Sequence, residues 1–169
     1  MLNARDEIFA QIKTFISKCV ETEEGIYNSA FIVAPPTQTK RIEFSLDNFR
    51  GIGHNYRNND KSGRRYRQNS KSVYSGVLEI RIIDTPVISS QKVTRIISGL
   101  NHSDFRNKFM PDLSIQSSTI RNSRHMVEEN NNIYGFERIT VNVYFSSEFE
   151  FNSDYFDTII NTSIDIKEG

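Results

Sequence analysis

Along residues 134–145, apolar side chains fall on every second position. Ile139, Val141, Val143 and Phe145 lie on one side, and Arg138, Thr140, Asn142 and Tyr144 on the other. A period of two belongs to a strand with one face in a core and one toward water. The pattern recurs at 72–84, where Tyr74, Leu78, Ile80 and Ile82 oppose Val73, Ser75, Val77, Glu79 and Arg81. It appears again where Ile42, Phe44 and Leu46 alternate with Arg41, Glu43 and Ser45. Strands of this kind make a sheet with one apolar face, and another layer must cover it.

Two segments have the period to do so. Ile8, Ile12, Phe15, Ile16 and Cys19 share one helical face, with Asn3 as a cap and Asp6 and Glu7 in the first turn, where the helix dipole favours anions. Val93, Ile96, Ile97 and Leu100 form a second stripe, preceded by Ser89 and Ser90 as caps and closed near 99–101. Cys19, the sole cysteine, reads as a small core hydrophobe. The β-prone stretch 26–34 ends at Pro35 and Pro36, which predicts two strands joined by a proline-containing turn. A further strand is expected at 113–120. The polar connection 122–132, with Asn130, Asn131 and Asn132 as turn material, predicts that it pairs antiparallel with 134–145.

The expected fold is α+β: a mostly antiparallel sheet, two amphipathic helices packed on one face, and a long basic loop at about 47–72. With 169 residues it reads as a single domain, 1–169. No run approaches the roughly 20 apolar residues that span a bilayer. The acidic start, with Asp6 and Glu7, is unlike a targeting segment, so the chain reads as made in a host cytoplasm and not bound to membrane.

Catalytic chemistry finds little support. His54, His102 and His125 sit in three separate polar segments without metal-ligand spacing, so no metal and no cofactor is expected. The chain has no nucleophile-elbow, phosphate-loop or zinc-protease motif. Gly51-Ile52-Gly53 lacks the third glycine of a dinucleotide fingerprint. Glu148 and Glu150 could share a strand face, but an acid/base pair needs a pocket that separates their pKa values. The chain is therefore expected not to be an enzyme.

Charge is the informative feature. The 21 basic and 21 acidic residues cancel overall. Locally they do not: 50–71 carries +6 through Arg50, Arg57, Lys61, Arg64, Arg65, Arg67 and Lys71, and 146–169 carries −5 through Glu148, Glu150, Asp154, Asp157 and others. Oppositely charged surfaces on copies of one chain steer association and fix its register, and a head-to-tail interface that closes makes a ring. These eleven named residues are the expected subunit or partner interface. The alternative is a nucleic-acid-binding module in which the cations of 50–71 meet phosphates and Tyr56 and Tyr66 stack on bases.

The order of these segments resembles the neck and tail terminator proteins of tailed bacteriophages. The likeness rests on Tyr74-Ser75-Gly76-Val77-Leu78-Glu79-Ile80-Arg81-Ile82, the helix around 93–100, the Ser/Arg stretch 117–124, and Phe136-Glu137-Arg138 opening the last alternating strand, and covers about 72–147. It implies a homo-oligomeric, commonly hexameric, ring in the virion at the head-tail junction. Adjoining tail tube, sheath or neck proteins would be its partners, with genomic DNA passing through the lumen. The family offers no catalytic residue to carry over. The basic loop is longer here, so any role of Arg64, Arg65 or Arg67 is particular to this sequence.

Overall fold

The computed structural model describes residues 4–29, 40–52, 56–60, 67–129 and 131–152. In chain order these form α1 (Ala4–Val20), β1 (Ile26–Asn28), β2 (Arg41–Gly51), β3 (Tyr56–Asp60), β4 (Arg67–Asp84), α2 (Pro86–Asn101), α3 (Ser103–Phe109), β5 (Leu113–Ile115), a 3-10 turn (Ser117–Thr119), β6 (Arg121–Glu129) and β7 (Asn132–Asn152). The fold is α+β, built on a seven-stranded sheet. Its order is β1-β2-β4-β7-β5, with β3 also paired to β4 and β6 to β7. Antiparallel pairing joins β3 to β4, β5 to β7 and β6 to β7.

Two compact units make up the chain: 1–50 with 75–145, and 51–74 with 146–169. The first holds a core of the predicted composition. Ile42, Phe44 and Leu46 of β2, Leu78, Ile80 and Ile82 of β4, and Ile139, Val141, Val143 and Phe145 of β7 are all buried. Helix α1 contributes Ile8, Ile12, Phe15, Ile16 and Cys19 to that core, and α2 contributes Val93, Ile96 and Leu100. The Phe9 and Phe44 rings, 6.4 Å apart, place α1 on the apolar side of the sheet. Helix α1 also crosses α2 closely at Gly99, where an added Cβ would lie 2.8 Å from the Cys19 sulfur and 3.1 Å from Phe15. Phe105 of α3 stacks edge-on against Phe15 at 5.7 Å.

In the second unit, β3 pairs with the start of β4 so that Tyr56 is opposite Lys71, Arg57 opposite Ser70, and Asp60 opposite Arg67. The Ile52 N–H donates to the Val73 carbonyl, 2.9 Å. Much of the stretch read as an aperiodic loop is thus an antiparallel strand pair. Its residues are nearly all polar, so the sequence held no apolar alternation from which the pairing could be read.

Other boundaries differ for identifiable reasons. β1 and β2 run parallel, with Ile26 opposite Ile42, so the connection between them is not a hairpin turn. Helix α2 begins at Pro86, earlier than the Ser89 and Ser90 caps imply. A proline suits the first helical turn because the N–H it lacks there has no helical partner. The strand expected at 113–120 stops at Ile115, and the polar stretch read as connection is β6. Asn131 turns the chain between β6 and β7 with φ of 62°, a conformation asparagine tolerates. The Asn3 cap and Pro35-Pro36 lie outside the described residues.

Candidate assembly surface

The start of α2 is held by two buried carboxylates from neighbouring strands. Asp84, the last residue of β4, is 4% exposed. Its Oδ1 accepts from the Thr85 N–H at 2.8 Å and its Oδ2 from Lys92 Nζ at 2.6 Å. Glu137 of β7 is 2% exposed. Its Oε1 accepts from Ser90 Oγ at 3.0 Å and lies 3.4 Å from Arg124 Nε, while Oε2 accepts from Asn122 Nδ2 at 3.3 Å. Negative charge at a helix N-terminus meets the positive end of its dipole, so both acids stabilise α2 there. Partners occupy both carboxylates, which makes them fastenings and not a reactive pair.

On the opposite sheet face an ionic ladder crosses three strands. Arg41 pairs with Glu43 at 2.6 Å, Arg81 with both Glu43 and Glu79, and Arg138 with Glu79 at 3.7 Å. Among the described residues no group of three His, Cys, Asp or Glu side chains could hold a metal ion. The His102 Nδ1 accepts from the Phe105 N–H, and His125 faces the Phe136 ring at 6.3 Å.

Beside Cys19 lies a cleft of about 440 Å³ lined in part by Gly99, His102 and Phe105. Burial pushes the Cys19 thiol up to about 12. The thiolate is the nucleophile, so at pH 8 alkylation of the native chain is expected to run roughly a thousandfold slower than in urea. Equal rates with iodoacetamide in the two states would contradict that burial. The sign for stability follows: the unfolded thiol ionises first, so this group's contribution falls as pH rises from about 9 toward 12.

The surface feature that charge counting missed is apolar. Val87 in the first turn of α2 is 67% exposed, Met126 of β6 57%, and Ile133 of β7 61%. The β6–β7 register sets Met126 opposite Gly135 and Glu128 opposite Ile133, so Met126, Gly135 and Ile133 share a face. On that face Pro86 and Ser89 close over Gly135: an added Cβ would lie 3.0 Å from Pro86 Cα and 2.3 Å from Ser89 Oγ. Val87, Met126 and Ile133 therefore gather around one contact. Arg124, whose Nη2 donates to the Pro86 carbonyl at 3.3 Å, lies beside them, with Arg121 exposed further along β6. Large exposed apolar residues grouped in this way make this face the candidate interaction site. The asparagine-rich turn at 130–132, read as a tight hairpin, was the signal that could have located it.

Of the interface residues expected from charge, Arg50 is exposed near the end of β2. Arg57 belongs to β3, Arg67 and Lys71 to β4, and Glu148 and Glu150 to β7. Lys61, Arg64, Arg65, Asp154 and Asp157 lie outside the described residues.

No protein-family model and no curated protein matches the chain. Among solved structures it is similar to a chain from a "Virion of native gene transfer agent (GTA) particle", at 11% identity and a TM-score of 0.38, over 83% of this chain and 92% of that one.

Proposed function

We propose that the protein is a structural virion component, a neck or tail terminator-like subunit that assembles with copies of itself into a ring at the head-tail junction of a tailed phage. The observation that carries self-assembly is the exposed apolar group of Val87, Met126 and Ile133. Leaving such a group in water is unfavourable, and a neighbouring protein relieves it. The order of segments across 72–147 supports the terminator assignment. The two buried carboxylates, Asp84 and Glu137, support a structural role, because their partners are other side chains and backbone groups of the same fold. In this reading the ring is a hexamer that meets tail tube, sheath or neck proteins on its two sides.

Native mass spectrometry and sedimentation of the full chain test the proposal. The expected dominant species at high concentration has six times the 19.6 kDa protomer mass. A chain that stays monomeric at every concentration, with and without tail tube, overturns it. DNA retention with a steep salt slope, roughly one log unit per neutralised phosphate, would favour the nucleic-acid reading instead.

A further inference from the structure

Strand β6 is nine residues long, and among the described residues it pairs with β7 alone. Residues 121–128 are all exposed. Every second residue of such an edge turns its N–H and C=O away from the sheet, which makes the edge a template for another strand. Proteins guard edges with proline, a covering element or charge, and β6 has no proline. Its charge is ordered. Arg124 comes two residues before Met126 and Glu128 two residues after it, and alternate residues of a strand point to one face. When a second copy of β6 runs antiparallel to the first with Met126 opposite Met126, Arg124 of each copy stands opposite Glu128 of the other. On the other face His125 meets Val127, which is 44% exposed. Opposite charges across a strand pair attract and like charges repel, so a parallel copy in the same register, with Arg124 on Arg124 and Glu128 on Glu128, is refused. Arg124 is already set in place. Its Nε lies 3.4 Å from Glu137 Oε1 and its Nη2 donates to the Pro86 carbonyl, while the side chain remains 45% exposed. This register puts the second strand opposite residue 123 and onward, clear of the 3-10 turn at Ser117–Thr119.

We propose that two free copies of the chain pair antiparallel through their β6 edges, about a two-fold axis at Met126, so that their sheets become one. The axis is perpendicular to the sheet, so both copies keep their helices on the same side and the Val87, Met126 and Ile133 groups approach one another across it. Recognition is by strand addition: main-chain hydrogen bonds supply affinity and the Arg124 and Glu128 pairs fix direction and register. The contact is isologous, whereas a ring closes through head-to-tail contacts, so the inference goes beyond the ring. Met126 serves both contacts. The pair therefore covers the open edge of the free chain, and ring closure opens it.

The full-length chain carrying Met126→Cys, kept below the concentration at which larger species form and mildly oxidised, tests the pairing. Residues directly opposite in an antiparallel pair have Cα atoms about 4.5–5.5 Å apart, within the span of a disulfide. The expected product is a disulfide-linked dimer. Cys19 is buried, and the unsubstituted chain serves as its control. A second variant, Glu128→Arg, changes an exposed side chain and sets like charges opposite one another at both ends of the contact. It is expected to raise the dimer dissociation constant, read by sedimentation equilibrium, tenfold or more while leaving the melting temperature of the dilute protomer unchanged. Two results overturn the pairing. One is a wild-type chain that is monomeric up to the concentration at which larger species form. The other is a dimer that Glu128→Arg leaves equally tight and that Met126→Cys does not link. Either result together with a hexamer at high concentration leaves the ring standing. A linked dimer that never gives a larger species, with or without tail tube, supports the pairing and overturns the ring.

Discussion

Replacing Asp84 with alanine is expected to lower the unfolding free energy by about 3–5 kcal/mol, the usual cost of removing one partner from a buried ion pair. The carboxylate does two things at the junction of β4 and α2. It accepts from the Thr85 N–H, and it neutralises Lys92, whose side chain is 23% exposed. Alanine leaves that N–H without its carboxylate acceptor and that cation largely out of water. Lys40, at 3.9 Å from Asp84 and much more exposed, can turn into solvent and adds little. Asp84→Asn should cost less than alanine, because an amide oxygen can still accept from Thr85. Adding Lys92→Met to Asp84→Ala should recover part of the loss, since replacing a whole buried pair by apolar groups is often close to neutral. Urea denaturation measures all three, with the midpoint moving and the slope constant. A loss below 1 kcal/mol for Asp84→Ala would show that the pair does not fasten the helix.

The consequence reaches the assembly surface. Val87 follows Pro86 at the helix start, and Asp84 and Glu137 fix where that start lies on the sheet. Under the proposed self-assembly, weakening either fastening should reduce assembly before it unfolds the protomer, because the apolar group depends on residues from α2, β6 and β7 being held together.

What the sequence made legible, and what it did not, follows from burial. The strands at the centre of the sheet and both long helices each have one face in the core, so their apolar residues keep a period, and nearly all the residues read as core are buried. β6 escaped notice because residues 121–128 are exposed on both faces, so no alternation exists to read. Helix α3 is seven residues long, too short for a repeating stripe, although Phe105 and Phe109 are one turn apart and stack at 4.8 Å. The parallel pairing of β1 with β2 depends on partners chosen in three dimensions, which a three-residue strand cannot announce. Charge could be counted along the chain, so the basic and acidic stretches were plain. The apolar group was not, because Val87 lies far in sequence from Met126 and Ile133 and joins them only where Pro86 packs on Gly135.

That contact yields the second large effect: Gly135→Val is expected to destabilise the protomer by about 3 kcal/mol or more, at or beyond the upper end of ordinary overpacking. The glycine is not there for backbone freedom, since its φ lies outside the left-handed region. It is there for space. A Cβ would stand 2.3 Å from Ser89 Oγ, and that hydroxyl is itself buried and placed 3.2 Å from the Pro86 carbonyl. Rotating Ser89 away would relieve one clash and sacrifice that hydrogen bond. The Pro86 Cα at 3.0 Å is backbone and cannot rotate, so the first turn of α2 must lift from β7. Lifting it also stretches the Ser90 hydrogen bond to Glu137 and the Arg124 hydrogen bond to the Pro86 carbonyl, which leaves a buried carboxylate with a weaker partner. Gly135→Ala should therefore cost less than valine but still more than 1 kcal/mol. Combining it with Ser89→Ala should recover only part of the loss, because the Pro86 contact remains. Thermal and urea unfolding of the three variants read these losses directly. Wild-type stability in Gly135→Ala would mean that the helix start is free to move, and Val87 would then have no fixed place beside Met126 and Ile133.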